Sequence, residues 1–195
     1  IWTLFLAPLI GLPIPLLPIH ILWINLVTDG LPGLALASEK EEKDIMNRPP
    51  RKTTENLFAG GIGYHIAWVG LLMAGVTLGV QAWAINNGNE HWQTMVFTVL
   101  ALTQLGHVMA IRSEREFLFK QGIFSNMPLV GAVLLTILLQ MGVIYLPFAN
   151  EIFKTNPLTV NELAICFGAS AIVFHAVEME KLIKEIIRRR RMGGY

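Results

Sequence analysis

Leu22-Trp23-Ile24-Asn25-Leu26-Val27-Thr28-Asp29-Gly30-Leu31-Pro32 places one carboxylate in the middle of an apolar run, and the reading of that run decides the fold. From Ile1 to Ala37 only His20 and Asp29 can titrate. A single helix over this run would be ~55 Å long, too long for one bilayer crossing. The prolines of Gly11-Leu12-Pro13-Ile14-Pro15-Leu16-Leu17-Pro18 remove amide donors and interrupt it, which leaves a membrane helix over 19–37. The rest of the chain has the same character. Of 195 residues 53% are hydrophobic and 15% charged, and the charges are clustered between apolar stretches of twenty residues or more. Such stretches cross a hydrocarbon core of ~30 Å. The expected fold class is therefore all-α, a polytopic membrane helix bundle. A lone cysteine, Cys166, excludes a disulfide framework or a zinc cluster. A net charge of +1 gives no overall basic field, so no nucleic acid is expected as a partner.

Four further spans are expected at 59–85, 92–111, 127–148 and 159–181, which makes five full transmembrane helices plus a truncated N-terminal helix within 1–12. Pro128 suits the first turn of its span. Thr159 with Glu162 reads as a capping box opening the last one. Ile1-Trp2-Thr3 begins within an apolar run without an initiator Met, so a piece of a longer protein is expected; a basic start and a small-residue cleavage site are both missing, which argues against a signal peptide. Residues 38–58 hold five Lys/Arg, 112–126 hold three and the tail from Lys181 holds six, whereas the alternate connections hold only Lys154. The positive-inside rule puts loops 38–58 and 112–126 and the C-terminus in the cytoplasm. Trp83, Trp92 and Tyr145 then fall near the outer interface.

Asp29 is the one acid deep within a span. An ionised carboxylate at mid-membrane costs several kcal/mol, and such residues usually mark ion or proton pathways; a protonated or paired Asp that ties helices together is the plainer alternative. Asn25, Thr28 and Asp29 stand at i, i+3 and i+4, on one helical face. Pro32 has no N–H to give to the carbonyl of Thr28, and Gly30 loosens the turn. Carboxylate, hydroxyl, amide and freed carbonyl oxygens are hard ligands suited to Ca²⁺, Mn²⁺, Na⁺ or K⁺, and unsuited to Zn²⁺ or Cu⁺. Interrupted helices at membrane depth are tolerated where they line a protein-buried or wet site.

The stretch Pro18–Pro32, with Asn-Leu-Val-Thr-Asp-Gly-Leu-Pro at its core, resembles the sixth transmembrane helix of calcium-type P-type cation pumps. Asp44-Ile45-Met46-Asn47-Arg48-Pro49-Pro50-Arg51 is similar to the loop that follows it in that family. Beyond Ala59 the resemblance rests on helix count and topology, and it spans the whole chain. It implies that 1–12 is the end of helix five and that 19–37, 59–85, 92–111, 127–148 and 159–181 are helices six to ten, with a cytoplasmic loop at 38–58 and a basic cytoplasmic tail at 182–195. It places Asn25, Thr28 and Asp29 on family ion ligands, with Ca²⁺ as the foremost cargo. ATP and Mg²⁺ would bind in phosphorylation, nucleotide and actuator domains that this sequence does not contain, so no catalytic residue falls within it. Those domains and helices one to five would be partners of the bundle, together with the lipid bilayer. Asp44, Arg48, Pro49, Pro50 and Arg51 would dock on the phosphorylation domain and couple chemistry to ion release.

Gln104 stands where two-site members of the family carry an eighth-helix glutamate. Either it supplies a neutral oxygen, which points to one divalent ion per cycle, or it hydrogen-bonds a neighbouring helix. His107, one turn further on, reads first as an interhelical hydrogen bond and second as a proton route. His175, Thr136 and Gln140 read as polar glue, Glu178 and Glu180 as solvated or salt-bridged acids, Gly70, Gly75 and Gly79 as close helix packing, and Arg188–Arg191 as an anchor on anionic lipid. The expectation is the membrane half of an ATP-driven pump exporting Ca²⁺ or Mn²⁺, in a bacterial plasma membrane. Its rivals are a Na⁺, K⁺ or H⁺ pump, an ATP-independent channel or carrier, and a structural anchor.

Overall fold

The computed structural model describes residues 1–39, 46, 62–112 and 122–192, the side chains of 188–192 excepted. Among these residues every regular element is a helix. Helix α1 spans Trp2–Leu9; α2, Pro18–Leu36; α3, Ile62–Asn86; α4, Trp92–Ala110; α5, Met127–Tyr145; α6, Pro147–Phe153; and α7, Val160–Met192. The loop residues Asp44, Arg48, Pro49, Pro50 and Arg51, together with the tail side chains Arg188–Arg191, lie outside the described residues.

Among the described residues four helices, α2, α3, α5 and α7, are long and apolar enough to cross a bilayer. The remaining expected span, 92–111, forms the 19-residue helix α4 but is not one of them. It carries Gln93, Thr94, Thr98, Thr103, Gln104 and His107. The packing explains how it tolerates them. Eleven α4 residues are buried, against five of the equally long α5, and α4 touches α2, α3, α5 and α7. A helix enclosed by protein meets little lipid, so its polar groups need only protein partners and its mean apolarity can fall. Thr98 and Thr103 satisfy their hydroxyls on main-chain carbonyls of α4 itself, each at 2.8 Å. On α5 and α7, by contrast, Leu134, Leu138, Ile172 and Met179 stand exposed, as lipid-facing side chains do.

The ends of the helices follow local chemistry. Asn126 caps α5 by accepting from the Leu129 N–H at 3.0 Å, with Pro128 in the first turn. At α7 the Thr159 N–H donates to Glu162 at 2.7 Å and the Glu162 N–H to Thr159 Oγ1 at 3.3 Å, a reciprocal capping box. The proline-rich break before α2 is tied down by Gln81, whose Nε2 donates to the Pro13 carbonyl at 2.8 Å. The main core joins Val80 and Ala84 of α3, Met95, Val99, Leu102 and Leu105 of α4, Ile144 of α5 and Cys166 of α7. The close-packing reading of the glycines holds at one position of three. A methyl group at Gly70 would press on the Trp2 ring at 3.1 Å, whereas at Gly75 and Gly79 it would meet nothing within 4 Å.

Just beyond the end of α4, the Arg112 side chain is fully enclosed. Its Nε and Nη2 donate to the two carboxylate oxygens of Glu39, each at 2.9 Å, and Nη1 donates to the Gly122 and Ile123 carbonyls. Asn126 Nδ2 adds a bond to Glu39 at 2.8 Å. The ends of α2 and α4 and the start of α5 are thus clamped together.

Candidate cation site

Helix α2 is regular over Pro18–Trp23, widens into a π-helix over Ile24–Thr28, and resumes as α-helix over Gly30–Leu36. Pro32 accounts for the position. It has no N–H for the carbonyl four residues earlier, and its ring crowds that carbonyl. The chain takes up one extra residue in the preceding turn, where the Asp29 N–H bonds the Ile24 carbonyl at 2.8 Å. Regular bonding returns with the Gly33 N–H on the Asp29 carbonyl at 3.0 Å. The sequence pointed to an interrupted helix, and the interruption takes the form of this bulge, a feature that recurs at functional sites.

The bulge frees a hydroxyl. Thr98 and Thr136 donate to the carbonyls four residues back, Thr94 and Ala132, each at 2.8 Å. For Thr28 that carbonyl belongs to Ile24, at the start of the widened turn, and the hydroxyl does not bond it. Thr28 Oγ1 is buried without a hydrogen-bond partner among the described residues, and so is Gln104 Oε1. A buried polar atom left in this way costs ~1–3 kcal/mol. Both line a cavity of about 240 Å³ with Asp29, Met73, His107, Val108 and Ile111. Gln104 Nε2 reaches Asp29 Oδ2 at 3.5 Å, the outer limit of a hydrogen bond.

Three of the four candidate ligands therefore meet in one place: Thr28 and Asp29 from the bulge and Gln104 from α4. Asn25 does not line this cavity and its side chain is exposed. A π turn advances each residue by less than the 100° of an α-helix, so the i, i+3, i+4 argument spreads Asn25 away from Thr28. A carboxylate, a hydroxyl and an amide lining one cavity offer hard oxygens that can replace part of the water around a cation. Among the described residues no group of three or more His, Cys, Asp or Glu is placed to hold a metal, so the chemistry available is that of mixed neutral and charged oxygens.

Of the residues read as interhelical polar glue, Gln140 acts so, accepting from Trp23 Nε1 at 2.9 Å; Thr136 instead bonds the Ala132 carbonyl of its own helix, and exposed His175 meets the Ala171 carbonyl of its own helix at 2.7 Å. Glu178 pairs with Lys181 at 2.9 Å. Buried His20 stacks on Phe97 with ring centroids 4.4 Å apart. Its Nδ1 accepts from Leu17 N–H at 3.3 Å and its Nε2 donates to the Phe153 carbonyl at 2.7 Å, holding the α2 entrance. Sequence reasoning missed His65, which joins His107 and Glu180. No local pattern marks it, because its partners lie 42 and 115 residues away.

Residues 13–183 match the family described as "Cation transporting ATPase, C-terminus". The chain is 41% identical over 175 residues to the "Calcium-transporting ATPase" of Bacillus subtilis (strain 168), covering 88% of this chain and 20% of that protein. It is 36% identical over 200 residues to the "Calcium-transporting ATPase 1" of Bacillus cereus (strain ATCC 10987 / NRS 248), covering 94% and 22%. To the "Calcium-transporting ATPase type 2C member 2" of Mus musculus it is 29% identical over 189 residues, covering 95% and 20%. The chain thus spans about a fifth of the length of the curated relatives it matches.

Proposed function

Because the chain belongs to the family of cation-transporting ATPase C-termini, we propose that it forms the membrane half of an ATP-driven pump and that its cargo is Ca²⁺, with Mn²⁺ the next candidate by ligand chemistry. The chain is an integral, multi-pass membrane protein by its apolar helices and its family. One observation carries the reading of the site. Thr28 and Gln104, each with a buried oxygen that has no partner among the described residues, line the same cavity as the mid-span carboxylate Asp29. Oxygens unsatisfied by protein at a carboxylate are what a dehydrated cation would satisfy. The names of the bacterial, fungal and mouse relatives support Ca²⁺ as the cargo.

In this reading Thr28, Asp29 and Gln104 hold the ion, and Asn25 turns towards it from the exposed side of the bulge once the pump's further helices cover that face. A single carboxylate with neutral oxygens suits one divalent ion per cycle. ATP and Mg²⁺ act in domains outside this chain, which phosphorylation moves against the loop bearing Asp44, Arg48, Pro49, Pro50 and Arg51. The loops 38–58 and 112–126 and the basic tail face the cytoplasm, in a bacterial plasma membrane. When the ion leaves, Asp29 takes up a proton so that no bare charge remains in the membrane.

The test is Asp29→Asn in the complete pump. Loss of Ca²⁺-dependent phosphorylation from ATP is expected, with a normal amount of folded protein in the membrane. Phosphorylation that keeps its Ca²⁺ dependence would remove Asp29 from the site.

A further inference from the structure

We propose that α6 lies in the boundary between lipid and water, on the membrane face opposite residues 112–126, with Phe148 and Ile152 inserted among the lipid chains. The inference needs only that the bundle crosses a bilayer, and it stands whether or not the Asp29 cavity holds an ion.

The level of α6 follows from α5. That helix has 19 residues, so it is ~28 Å long and its ends reach the two edges of a hydrocarbon core of ~30 Å. Met127, Leu134, Leu138 and Tyr145 are exposed along it and fall within ~40° of helix rotation, which marks a lipid-facing stripe. The stripe ends where α6 begins. Leu146 leaves the helix with extended backbone, φ −85° and ψ 124°, and Pro147 opens α6. A residue before proline is steered away from helical backbone, so the chain turns at the level where α5 runs out of hydrocarbon. At its far end Lys154, with φ +55°, stops α6 in the left-handed region.

Seven residues do not hold a helix in water by themselves, so α6 depends on what surrounds it. Its side chains form three faces. Ala149 and Phe153, four residues apart, meet the protein: Ala149 is buried, and Phe153 packs against the cluster of Ile24, Phe97 and Val143. Phe148 and Ile152, also four apart, are 66% and 57% exposed. Glu151 and Lys154 are exposed on the third face. At 3.6 residues per turn the exposed apolar pair is centred ~100–110° from each of the other two. An apolar face and a charged face side by side, both uncovered, suit a helix lying in the plane of the interface. In water Phe148 and Ile152 would stay wetted, and within the hydrocarbon Glu151 and Lys154 would be costly charges. Tyr145 supports the level, since its hydroxyl donates to the Leu158 carbonyl at 2.9 Å while the ring stays exposed, as amphipathic aromatics do at a membrane boundary.

The protein-facing side of α6 is fastened to α2. The Phe153 carbonyl accepts from His20 Nε2 at 2.7 Å, and the Phe153 ring meets Trp23 edge-on at a centroid separation of 5.0 Å. A helix seated on the lipid boundary thereby fixes the level of the α2 entrance, just ahead of the widened turn at Ile24–Thr28.

The experiment uses the complete pump in vesicles of phosphatidylcholine and phosphatidylglycerol. A nitroxide is attached to one cysteine at a time, in Phe148→Cys, Glu151→Cys, Ile152→Cys and Lys154→Cys. Cys166 is buried, and reactive thiols elsewhere in the pump are replaced by serine. Spin relaxation is measured with oxygen, which concentrates in lipid, and with a nickel chelate, which stays in water. At Phe148→Cys and Ile152→Cys a gain of relaxation by oxygen and a loss of relaxation by nickel are expected, with the reverse at Glu151→Cys and Lys154→Cys. The two apolar positions report on one face, so either carries the test should the other variant fail to accumulate. Strong relaxation by nickel at all four positions would put α6 in water and overturn the proposal. Protection of both apolar positions from both reagents would show that another part of the pump covers this face, and overturns it equally.

Discussion

Thr28 shows how a single side chain can weigh against stability and towards binding. Its hydroxyl is buried in the widened turn and has no hydrogen-bond partner among the described residues. Thr28→Val replaces it with a group of the same shape that needs no partner. The expected result is a protein as stable as the original or more so, by up to ~1–3 kcal/mol, with weakened Ca²⁺ dependence of phosphorylation. A lower unfolding temperature together with unchanged Ca²⁺ dependence would mean that the hydroxyl has a protein partner and no part in binding. Asp29, at the neighbouring position, was legible from sequence because a lone carboxylate in an apolar run has few explanations. The free hydroxyl was not, because only the shifted hydrogen-bond register leaves it unsatisfied.

At the scale of the element, α2 depends on Pro32. In a regular helix interior a proline costs ~3 kcal/mol relative to alanine, and here the widened turn over Ile24–Thr28 absorbs the misfit. Pro32→Ala restores an N–H to the Thr28 carbonyl and lets the helix return to regular register. That would swing Thr28 and Asp29 relative to Gln104. Higher thermal stability with loss of Ca²⁺-dependent phosphorylation is expected; full retention of Ca²⁺ dependence would show that the bulge does not place the ligands. The motif Asn-Leu-Val-Thr-Asp-Gly-Leu-Pro announced a break, since Gly and Pro stand within four residues of the acid. Whether the break would be an unwound segment or a bulge depended on the neighbours, chiefly on α4 and α5 enclosing Ile24 beside Phe97 and Val143. For α4 the same dependence works in reverse. Its polar content kept it from qualifying as a span on composition, and its enclosure by four helices makes that content affordable.

Across the whole molecule, the Glu39–Arg112 clamp joins segments more than seventy residues apart. Arg112 is enclosed and its partner nearly so, with side-chain exposures of 0% and 14%. Removing one member of such a pair leaves a buried charge without its counterpart, a loss of ~3–5 kcal/mol. Arg112→Met in the detergent-purified pump is therefore expected to lower the unfolding temperature markedly, and an unfolding temperature equal to that of the original would show the clamp to be solvated. Because the clamp fixes the start of the 38–58 segment, the same variant should also slow the pump's turnover more than it alters its Ca²⁺ affinity.

Sequence alone determined the all-helical membrane class, the family resemblance and the identity of the central carboxylate. These follow from composition, from runs long enough to cross a bilayer, and from a charge where oil makes charge costly. Tertiary structure decided which oxygens join Asp29, that Asn25 stands apart from the cavity, and that His107 reaches Glu180 through His65. Each of those outcomes depends on helix rotation and on partners distant in the chain, and a linear pattern carries no record of the angle at which two helices meet.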